Sequence, residues 1–381
     1  MIKLETSKKL VRQAFSVAGI CLNGSNPWDL KIHDDRFYSQ ILRDGELAFG
    51  ESYMEGWWDC HRIDLLTEKI IRSRLHKSIR YNTGFKLKAL MCYLFNSQTK
   101  RKSKKVALQH YDIGNDLYQC MLDKNMNYSC AYWKHAKTLE QAQENKLEMI
   151  CQKLNLKSGM KLLDIGCGFG GMAKHAAQHY GVEVVGVTIS QEQQSYAANV
   201  CKDLPVEIKL QDYRDVYGEF DRVVSIGMFE HVGYKNYETF MKVVHRNLKE
   251  GGLCLLHTIG NNQSVVTGSP WILKYIFPNS MIPSIKQIGK AIENYFIMED
   301  WHNFGQDYEK TLHAWHHNFN QFWDKIKHHY DDRFKRMWNF YLLYCAGIFR
   351  SRHLQLWQIL LSKGGIESSY PVRDLIPNHN K

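Results

Sequence analysis

The sequence predicts an α/β chain: a doubly wound, mainly parallel sheet with a smaller, mainly helical N-terminal domain. Three observations carry that expectation. Apolar strand-like runs alternate with helix-like periods through the middle of the chain. One of those runs, Leu162-Leu-Asp-Ile165, opens onto a glycine cluster, Gly166 to Gly171, ahead of a helical stretch. The charge is also uneven. Residues 1–105 hold 20 Lys/Arg against 11 Asp/Glu, a net of +9, whereas residues 106–381 hold 30 against 28, a net of +2.

The elements of the sheet follow in order. Lys161 to Ile165 reads as a short buried strand and Met172 to His179 as a helix. Glu183 to Thr188 is the next strand, and Ser190 with Gln193 three residues on has the spacing of a capping box for the next helix. Val206 to Leu210 and Arg222 to Ser225 are two more strands. A helix covers about Tyr237 to Leu248, Lys249-Glu-Gly-Gly252 is a turn, and Leu253 to Thr258 is a fifth strand. Sheets of this kind bind ligands at the carboxyl ends of their strands.

Upstream, residues 1–95 form the N-terminal domain, 96–105 a basic linker, and 106–381 the α/β domain. The linker, Asn96-Ser-Gln-Thr-Lys-Arg-Lys-Ser-Lys-Lys105, is polar and without apolar periodicity. From Lys69 to Lys105 there are 12 Lys/Arg and no Asp or Glu, a run that seeks a polyanion, either nucleic acid or an anionic membrane surface. Arg72 to Phe95 carries Leu75, Ile79, Phe85, Leu87, Leu90, Met91 and Leu94 among its cations. Basic helices with apolar faces suit a membrane interface, and a helix packed on its own domain has the same pattern. In Gly50-Glu-Ser-Tyr-Met-Glu-Gly-Trp-Trp-Asp59, composition does not tell whether Trp57 and Trp58 are core or lipid-facing.

Composition excludes several classes. With 381 residues, 44% hydrophobic and 23% charged, the chain buries a core in two or three domains and is neither disordered nor collagen-like. Ten cysteines without a CxxC pair indicate no zinc ribbon or disulfide scaffold, and no metal site is expected; reduced, mostly buried thiols of a cytosolic protein are. The start, MIKLETSKKLVRQAF, has no secretory pattern, and no window approaches 18 apolar residues, so a soluble or peripheral protein is expected.

The glycine loop admits a ligand close to the backbone. Gly166, Gly168 and Gly171 satisfy GxGxxG, so a dinucleotide site competes. Such a site wants an acidic residue about 20 positions later, and Val187-Thr188-Ile189 has none. Asp164 stands ahead of the glycines instead, and Asp164-x-Gly166-x-Gly168-x-Gly170 resembles the first motif of S-adenosylmethionine-dependent methyltransferases. In that reading Asp164 orients the loop near the positive end of the cofactor, and Gly166 and Gly168 admit the methionine moiety. Thr188 and Gln193 hydrogen-bond the ribose, Asp212 accepts from the adenine amino group, and Tyr213 packs on the ring. An ordinary surface turn explains Asp212 to Arg214 equally well.

Further chemistry falls where the strands should end. Met228-Phe-Glu-His-Val232 follows the fourth strand and His257-Thr-Ile-Gly260 closes the fifth. Tyr128-Ser-Cys-Ala-Tyr-Trp133 precedes the sheet, and Asp307-Tyr-Glu-Lys310 opens a later helix. An acid and a histidine at adjacent strand ends, beside a cofactor loop, form a candidate site.

The motifs GESYMEGWWD, HYDIGNDLY, YSCAYW, LLDIGCGFGG, GVTISQEQ, LQDYRD, GMFEHVG, LLHTIG and EDWHNFGQDY occur in this order. Together they resemble those of bacterial cyclopropane-fatty-acyl-phospholipid synthases, from about residue 10 to about 365. The related mycolic acid methyltransferases lack the N-terminal region in this form. The resemblance implies a Rossmann-like methyltransferase sheet and transfer of the sulfonium methyl to a cis double bond of a phospholipid acyl chain. A carbocation follows, and proton removal closes the ring. It implies a bound bicarbonate as base, held by Cys130, Glu230, His257, the backbone of Ile259 and Tyr308. It sets Tyr128 and Ser129 near the methionine end of the cofactor. Pro270 to Pro278 reads as part of an acyl tunnel or lid, or as ordinary core. The family suggests a homodimer. With a phospholipid as the implied substrate, the basic run 69–105 becomes a candidate docking surface for an anionic leaflet, and a cytoplasmic protein peripherally associated with the inner face of the cytoplasmic membrane is expected. A relative placing a plain or oxygenated methyl, a nucleic-acid methyltransferase and an inactive lipid binder are the rivals. The quartet Cys130, Glu230, His257 and Tyr308, the absence of an Asn/Asp-Pro-Pro-Tyr motif and the intact cofactor loop count against them respectively.

Overall fold

The computed structural model describes residues 3–75, 96, 98–100 and 114–366. Most of the acid-free run 69–105, the amphipathic stretch past Leu75, the start of HYDIGNDLY and the tail after 366 lie outside them. The chain forms two compact units, one of Met1–Asn96, Val266–Pro278 and Tyr308–Leu354, the other of Ser97–Val265, Asn279–Asp307 and Gln355–Lys381.

The first unit is mainly helical. Helices Leu4–Val17, Arg36–Met54 and Ile63–Arg72 surround a two-residue antiparallel ribbon, β1 (Lys31–Ile32) with β2 (Trp58–Asp59). Helices Pro270–Tyr275, Trp323–Ile326 and Asp332–Arg350 and most of Gln306–Gln321 complete it. Its core is aromatic. Trp58 is fully buried, stacks on Phe49 at 4.6 Å, and donates Nε1 to Ser52 Oγ at 3.0 Å, which makes it core and not lipid-facing. Two glycines permit the close packing: a Cβ on Gly50 would meet the Trp271 ring at 2.3 Å, and one on Gly347 would meet the Asp64 carbonyl oxygen at 2.4 Å. Asp64 is buried, with Arg62 at 2.7 Å, Arg350 at 2.8 Å and His313 Nε2 at 3.4 Å. Burial opposes its ionisation, but His313 and the two guanidinium groups outweigh that and hold the carboxyl well below the usual range.

The second unit is the doubly wound sheet. Its strands are β3 (Lys161–Ile165), β4 (Glu183–Thr188), β5 (Val206–Leu210), β6 (Phe220–Ile226), β7 (Leu248–Asn261), β8 (Ile297–Asn303) and β9 (Leu354–Ser362), in the order β5-β4-β3-β6-β7-β9-β8. Strands β3 to β7 pair in parallel, and β8 runs antiparallel to β9. The order reverses beside β3, so the carboxyl ends of β3 and β6 flank the switch point at which such sheets bind ligands.

Both faces are covered, which is why the strands read as unbroken apolar runs. Leu163, Ile165, Val223 and Leu256 pack into a cluster with Phe229, Phe240 and Val244. Leu162, Val224 and Leu255 pack on the opposite face with Leu147, Ile150, Ala173 and Ala176.

Three expectations are refined. The fifth strand is longer than Leu253–Thr258: Leu248 already pairs with Phe220, and Leu253 pairs with Arg222, so Lys249–Gly252 bulges out within β7. Ser190 caps its helix through Gln193 N–H at 3.3 Å, but the Gln193 side chain turns away to the Thr188 hydroxyl, leaving half a capping box. The strands β8 and β9, not foreseen, extend the sheet to seven.

Candidate active site

The carboxyl end of β3 is built from backbone. Gly166, Gly168 and Gly170 all have positive φ, at 82°, 54° and 85°, a region costly to any residue with a Cβ. The N–H groups of Gly166 and Cys167 bond the Val187 carbonyl oxygen at 2.9 and 3.1 Å, which folds the loop over the end of β4. A Cβ on Gly168 would meet nothing within 4 Å, so the backbone there is open to a ligand. Asp164, just behind the loop, is buried, and its Oδ2 has no hydrogen-bond partner among the described residues. Burial lifts its pKa to about 7, against the pull of the Lys146 charge.

Thr188 ends β4. Its hydroxyl donates to Gln193 Oε1 at 2.9 Å and accepts from Ser190 N–H at 3.2 Å. Asp212, just past β5, is buried and bound by Arg214, whose Nε and Nη2 donate at 2.8 and 2.7 Å. Tyr213 packs its ring on Phe240 at 5.4 Å, and burial pushes its phenol up to about 12.

The carboxyl ends of β6 and β7 are built from side chains. Gly227 leaves β6 at φ 68° and donates its N–H to the His257 carbonyl oxygen at 2.9 Å, which ties the two strand ends together. The turn Phe229–His231 follows and carries Glu230 inward. Glu230 Oε1 accepts from Ile259 N–H at 2.7 Å, and its Oε2 has no partner among the described residues. Burial raises its pKa to about 7, with Ile259 N–H among the groups opposing the rise. His257, on β7, is 1% exposed. Its Nδ1 accepts from Gln358 Nε2 at 3.3 Å, and Nε2 is left without a partner among the described residues. Burial, with the charges of Lys146 and Lys153, depresses its pKa well below the ordinary imidazole value. Phe304 sets its ring edge-on to His257 at 5.9 Å, and Tyr132 packs on Phe304 at 5.4 Å.

Tyr128, Ser129 and Cys130 lie in an irregular segment held by helix Leu139–Lys153. Ser129 accepts from Lys146 Nζ at its hydroxyl (3.0 Å) and from Gln143 Nε2 at its carbonyl (2.9 Å). Cys130 is fully buried, with Sγ 3.2 Å from the Ala131 carbonyl oxygen. Tyr308 belongs to the other unit, at the start of helix Gln306–Gln321, where its ring stacks on Phe349 at 4.5 Å.

The structure therefore brings Asp164 and the glycines to one strand end, and Glu230, His257 and Ile259 to two adjacent ones. Sequence reasoning missed Lys146, Gln143 and Gln358. Gln143 and Lys146 had a signal: they interrupt the apolar stripe of their helix at positions one turn apart. Gln358 had none, because nothing local to β9 says that His257 lies beside it.

Residues 97–359 match the family described as mycolic acid cyclopropane synthetase. The chain is 51% identical over 356 residues to the cyclopropane-fatty-acyl-phospholipid synthase of Escherichia coli K12, covering 93% of each chain. Among solved structures it resembles the cyclopropane synthase MmaA2 of Mycobacterium tuberculosis, with a TM-score of 0.65, 27% identity, and coverage of 71% of this chain and 100% of that one. It also resembles the mycolic acid cyclopropane synthase CmaA1 complexed with SAH and CTAB, with a TM-score of 0.63, 29% identity, and coverage of 68% and 98%. A glycine loop at the switch point, a buried acid–histidine pair at the neighbouring strand ends and these likenesses converge: the chain belongs to the cyclopropane synthetase family of S-adenosylmethionine-dependent methyltransferases.

Proposed function

We propose that this chain cyclopropanates phospholipids. It adds one methylene across the cis double bond of an unsaturated acyl chain, by way of a carbocation, with bicarbonate as the base. The observation that carries this reading is the pairing of Glu230 and His257. Both are buried at adjacent strand ends beside the glycine loop, and each has one polar atom engaged and one without a partner among the described residues.

S-Adenosylmethionine, when bound, supplies an electrophilic methyl group. The open face of Gly168 and the unpartnered Oδ2 of Asp164 fit a ligand that approaches backbone and carries hydrogen-bond donors. The Gln193 amide NH2, which has no partner among the described residues, faces the ribose in this reading, and Tyr128 and Ser129 face the amino-acid end. An alkene is a poor nucleophile, so alignment in a dry site is what the protein must provide. The burial of Cys130, Glu230 and His257 supports that dryness. The rings of Phe304 and Tyr132 offer π-faces to developing positive charge.

Bicarbonate would supply a base for the proton leaving the new methyl group. Glu230 Oε2 suits its hydroxyl, and His257 Nε2, a donor when Gln358 occupies Nδ1, suits an oxyanion. Ile259 N–H bonds Glu230 here, so it orients the carboxyl. Cys130 and Tyr308 join this set by family resemblance.

Among the described residues no helix is long and apolar enough to cross a membrane. In the proposed reading the enzyme is cytoplasmic and homodimeric, and reaches its lipid peripherally, through the basic run 69–105 and the anionic leaflet. Each well-placed cation there contributes about 1 kcal/mol. Charge reversal at Lys100, Arg101, Lys102, Lys104 and Lys105 should weaken co-sedimentation with anionic vesicles; unchanged binding would move the docking surface elsewhere.

The deciding experiment incubates the protein with labelled S-adenosylmethionine, bicarbonate and vesicles of unsaturated phospholipid, then weighs the acyl chains by mass spectrometry. A gain of one CH2 that resists hydrogenation supports the ring. No gain, with or without bicarbonate, overturns it.

A further inference from the structure

Helix Leu139–Lys153 buries an apolar stripe that includes Leu139, Ala142, Leu147 and Ile150. Gln143 and Lys146 sit on that buried side and are 0% exposed. A buried ammonium is costly, and an apolar residue would pack there without that cost. The lysine therefore needs a reason, and its hydrogen bonds supply one. Nζ reaches Ser129 Oγ at 3.0 Å and Asn127 Oδ1 at 3.4 Å. Gln143 Nε2, one turn earlier, reaches the carbonyl oxygens of the same two residues, at 2.9 Å for Ser129 and 3.2 Å for Asn127.

The rest of the segment is held as tightly. Asp123 accepts from Asn125 N–H at 3.0 Å, and from the Asn127 N–H and side-chain amide at 2.8 and 2.9 Å. On the other side stands the cofactor helix: a Cβ on Gly171, its first residue, would lie 2.6 Å from the Asn125 carbonyl oxygen and 2.8 Å from Asn127 Oδ1. Tyr128 packs on Tyr118 at 5.2 Å, and Tyr118 on the loop residue Phe169 at 5.7 Å. The segment is thus wedged between helix Leu139–Lys153 and the cofactor loop, with the Asn127 and Ser129 carbonyls and the Ser129 hydroxyl pinned from behind.

We propose that Lys146, seconded by Gln143, is a positioning residue that holds Asn127–Cys130 so that Tyr128 and Ser129 meet the amino-acid end of S-adenosylmethionine. This rests on the reading of Tyr128 and Ser129 given above. Lys146 acts through Ser129 and Asn127, and the nearby Asp123 and Asp164 partly offset the cost of burying its charge. Burial lowers its own pKa to about 8, which suits a cation kept only while those partners stay in place.

The test is calorimetric, on the full chain, with two ligands. S-Adenosylhomocysteine has the amino-acid end and 5′-methylthioadenosine lacks it. Lys146→Met should weaken S-adenosylhomocysteine by about tenfold or more, as for loss of a charged hydrogen bond, and leave methylthioadenosine nearly unchanged. Gln143→Leu removes no charge and serves if Lys146→Met fails to fold; it should show the same selectivity at about threefold to tenfold. Combined with Ser129→Ala, the Lys146→Met loss should be less than additive, because both act through one contact. Equal losses for both ligands, or full additivity, overturn the proposal. If Ser129→Ala weakens S-adenosylhomocysteine while Lys146→Met and Gln143→Leu do not, the proposal alone falls. If Ser129→Ala itself changes nothing, the reading of Ser129 falls and takes the proposal with it.

Discussion

Asp64 in the helical unit and Glu230 in the sheet unit are both buried carboxyl groups, and their surroundings differ in kind. Asp64 is met by Arg62, Arg350 and His313, and its pKa is held well below the usual range. Glu230 meets no cation among the described residues: it accepts from the Ile259 N–H, and its own backbone and the Thr258 hydroxyl help its ionisation less. One of its oxygens has no hydrogen-bond partner among the described residues, and its pKa is raised to about 7. Asp164 resembles Glu230 in this respect. The contrast is what is expected if Asp64 serves the fold, where an unpaired buried charge costs stability, and if Glu230 and Asp164 serve a ligand, as proposed, and keep part of their bonding capacity in reserve.

The largest test of that contrast is a pair of substitutions. Glu230→Gln should cut turnover by about 10²–10⁴-fold, the usual weight of the proton transfer whose base Glu230 would hold in place, while leaving the protein folded. Asp64→Ala should do the reverse, costing about 1.5–3 kcal/mol in denaturant titration by removing the buried carboxylate that Arg62, Arg350 and His313 share. If Glu230→Gln unfolds the chain as readily, Glu230 is structural and the contrast breaks.

A second test uses pH. The folded-state pKa of Glu230 lies above the usual 4.5, so between about pH 4.5 and 7 the folded chain holds a proton that the unfolded chain has lost. Stability from this group is therefore greatest below that window and declines as pH rises through it. At pH 8, Glu230→Gln should be more stable than the parent by roughly 3 kcal/mol, and at pH 4 nearly equal to it. Asp64, with its lowered pKa, has the opposite sign: its contribution is present at neutral pH and fades as acid is added. Parallel pH profiles for Glu230→Gln and Asp64→Ala would contradict the assigned environments.

The smallest effects sharpen the same distinction at the backbone. Gly168→Ala adds a methyl at positive φ where there is open space, so it should cost only about 1–2 kcal/mol of stability but weaken S-adenosylhomocysteine in calorimetry. Gly347→Ala pushes a methyl toward the Asp64 carbonyl oxygen and should lower the melting temperature without a selective effect on the cofactor. Equal cofactor losses in the two variants would mean that Gly168 does not line the ligand.

Much of the sheet was legible because its signals are local. A buried strand running into glycines needs only neighbours in sequence to be recognised, and β3 to β6 fall where the apolar runs predict them. The glycines were legible for the same reason, since positive φ is a property of single residues. Glu230 and His257 were legible as candidates because each closes a recognisable strand. Their shared burial and half-satisfied bonding were not, since those depend on β9 bringing Gln358 beside His257 and on Ile259 turning its N–H to Glu230.

Periodicity, glycine freedom and motif spacing lie along the chain, and they were enough to read a doubly wound sheet over β3 to β7, the glycine loop and the family. Which carboxyl groups are paired and which keep an idle oxygen was set by contacts between distant segments. Only the tertiary structure made a lysine and a glutamine on one buried helical stripe the support for Ser129. It also gathered 266–278 and 308–354 into one unit with the N-terminal helices. The physical reason is common to all three: desolvation and hydrogen bonding act between residues far apart in sequence, and no local pattern records which partner a buried group will meet.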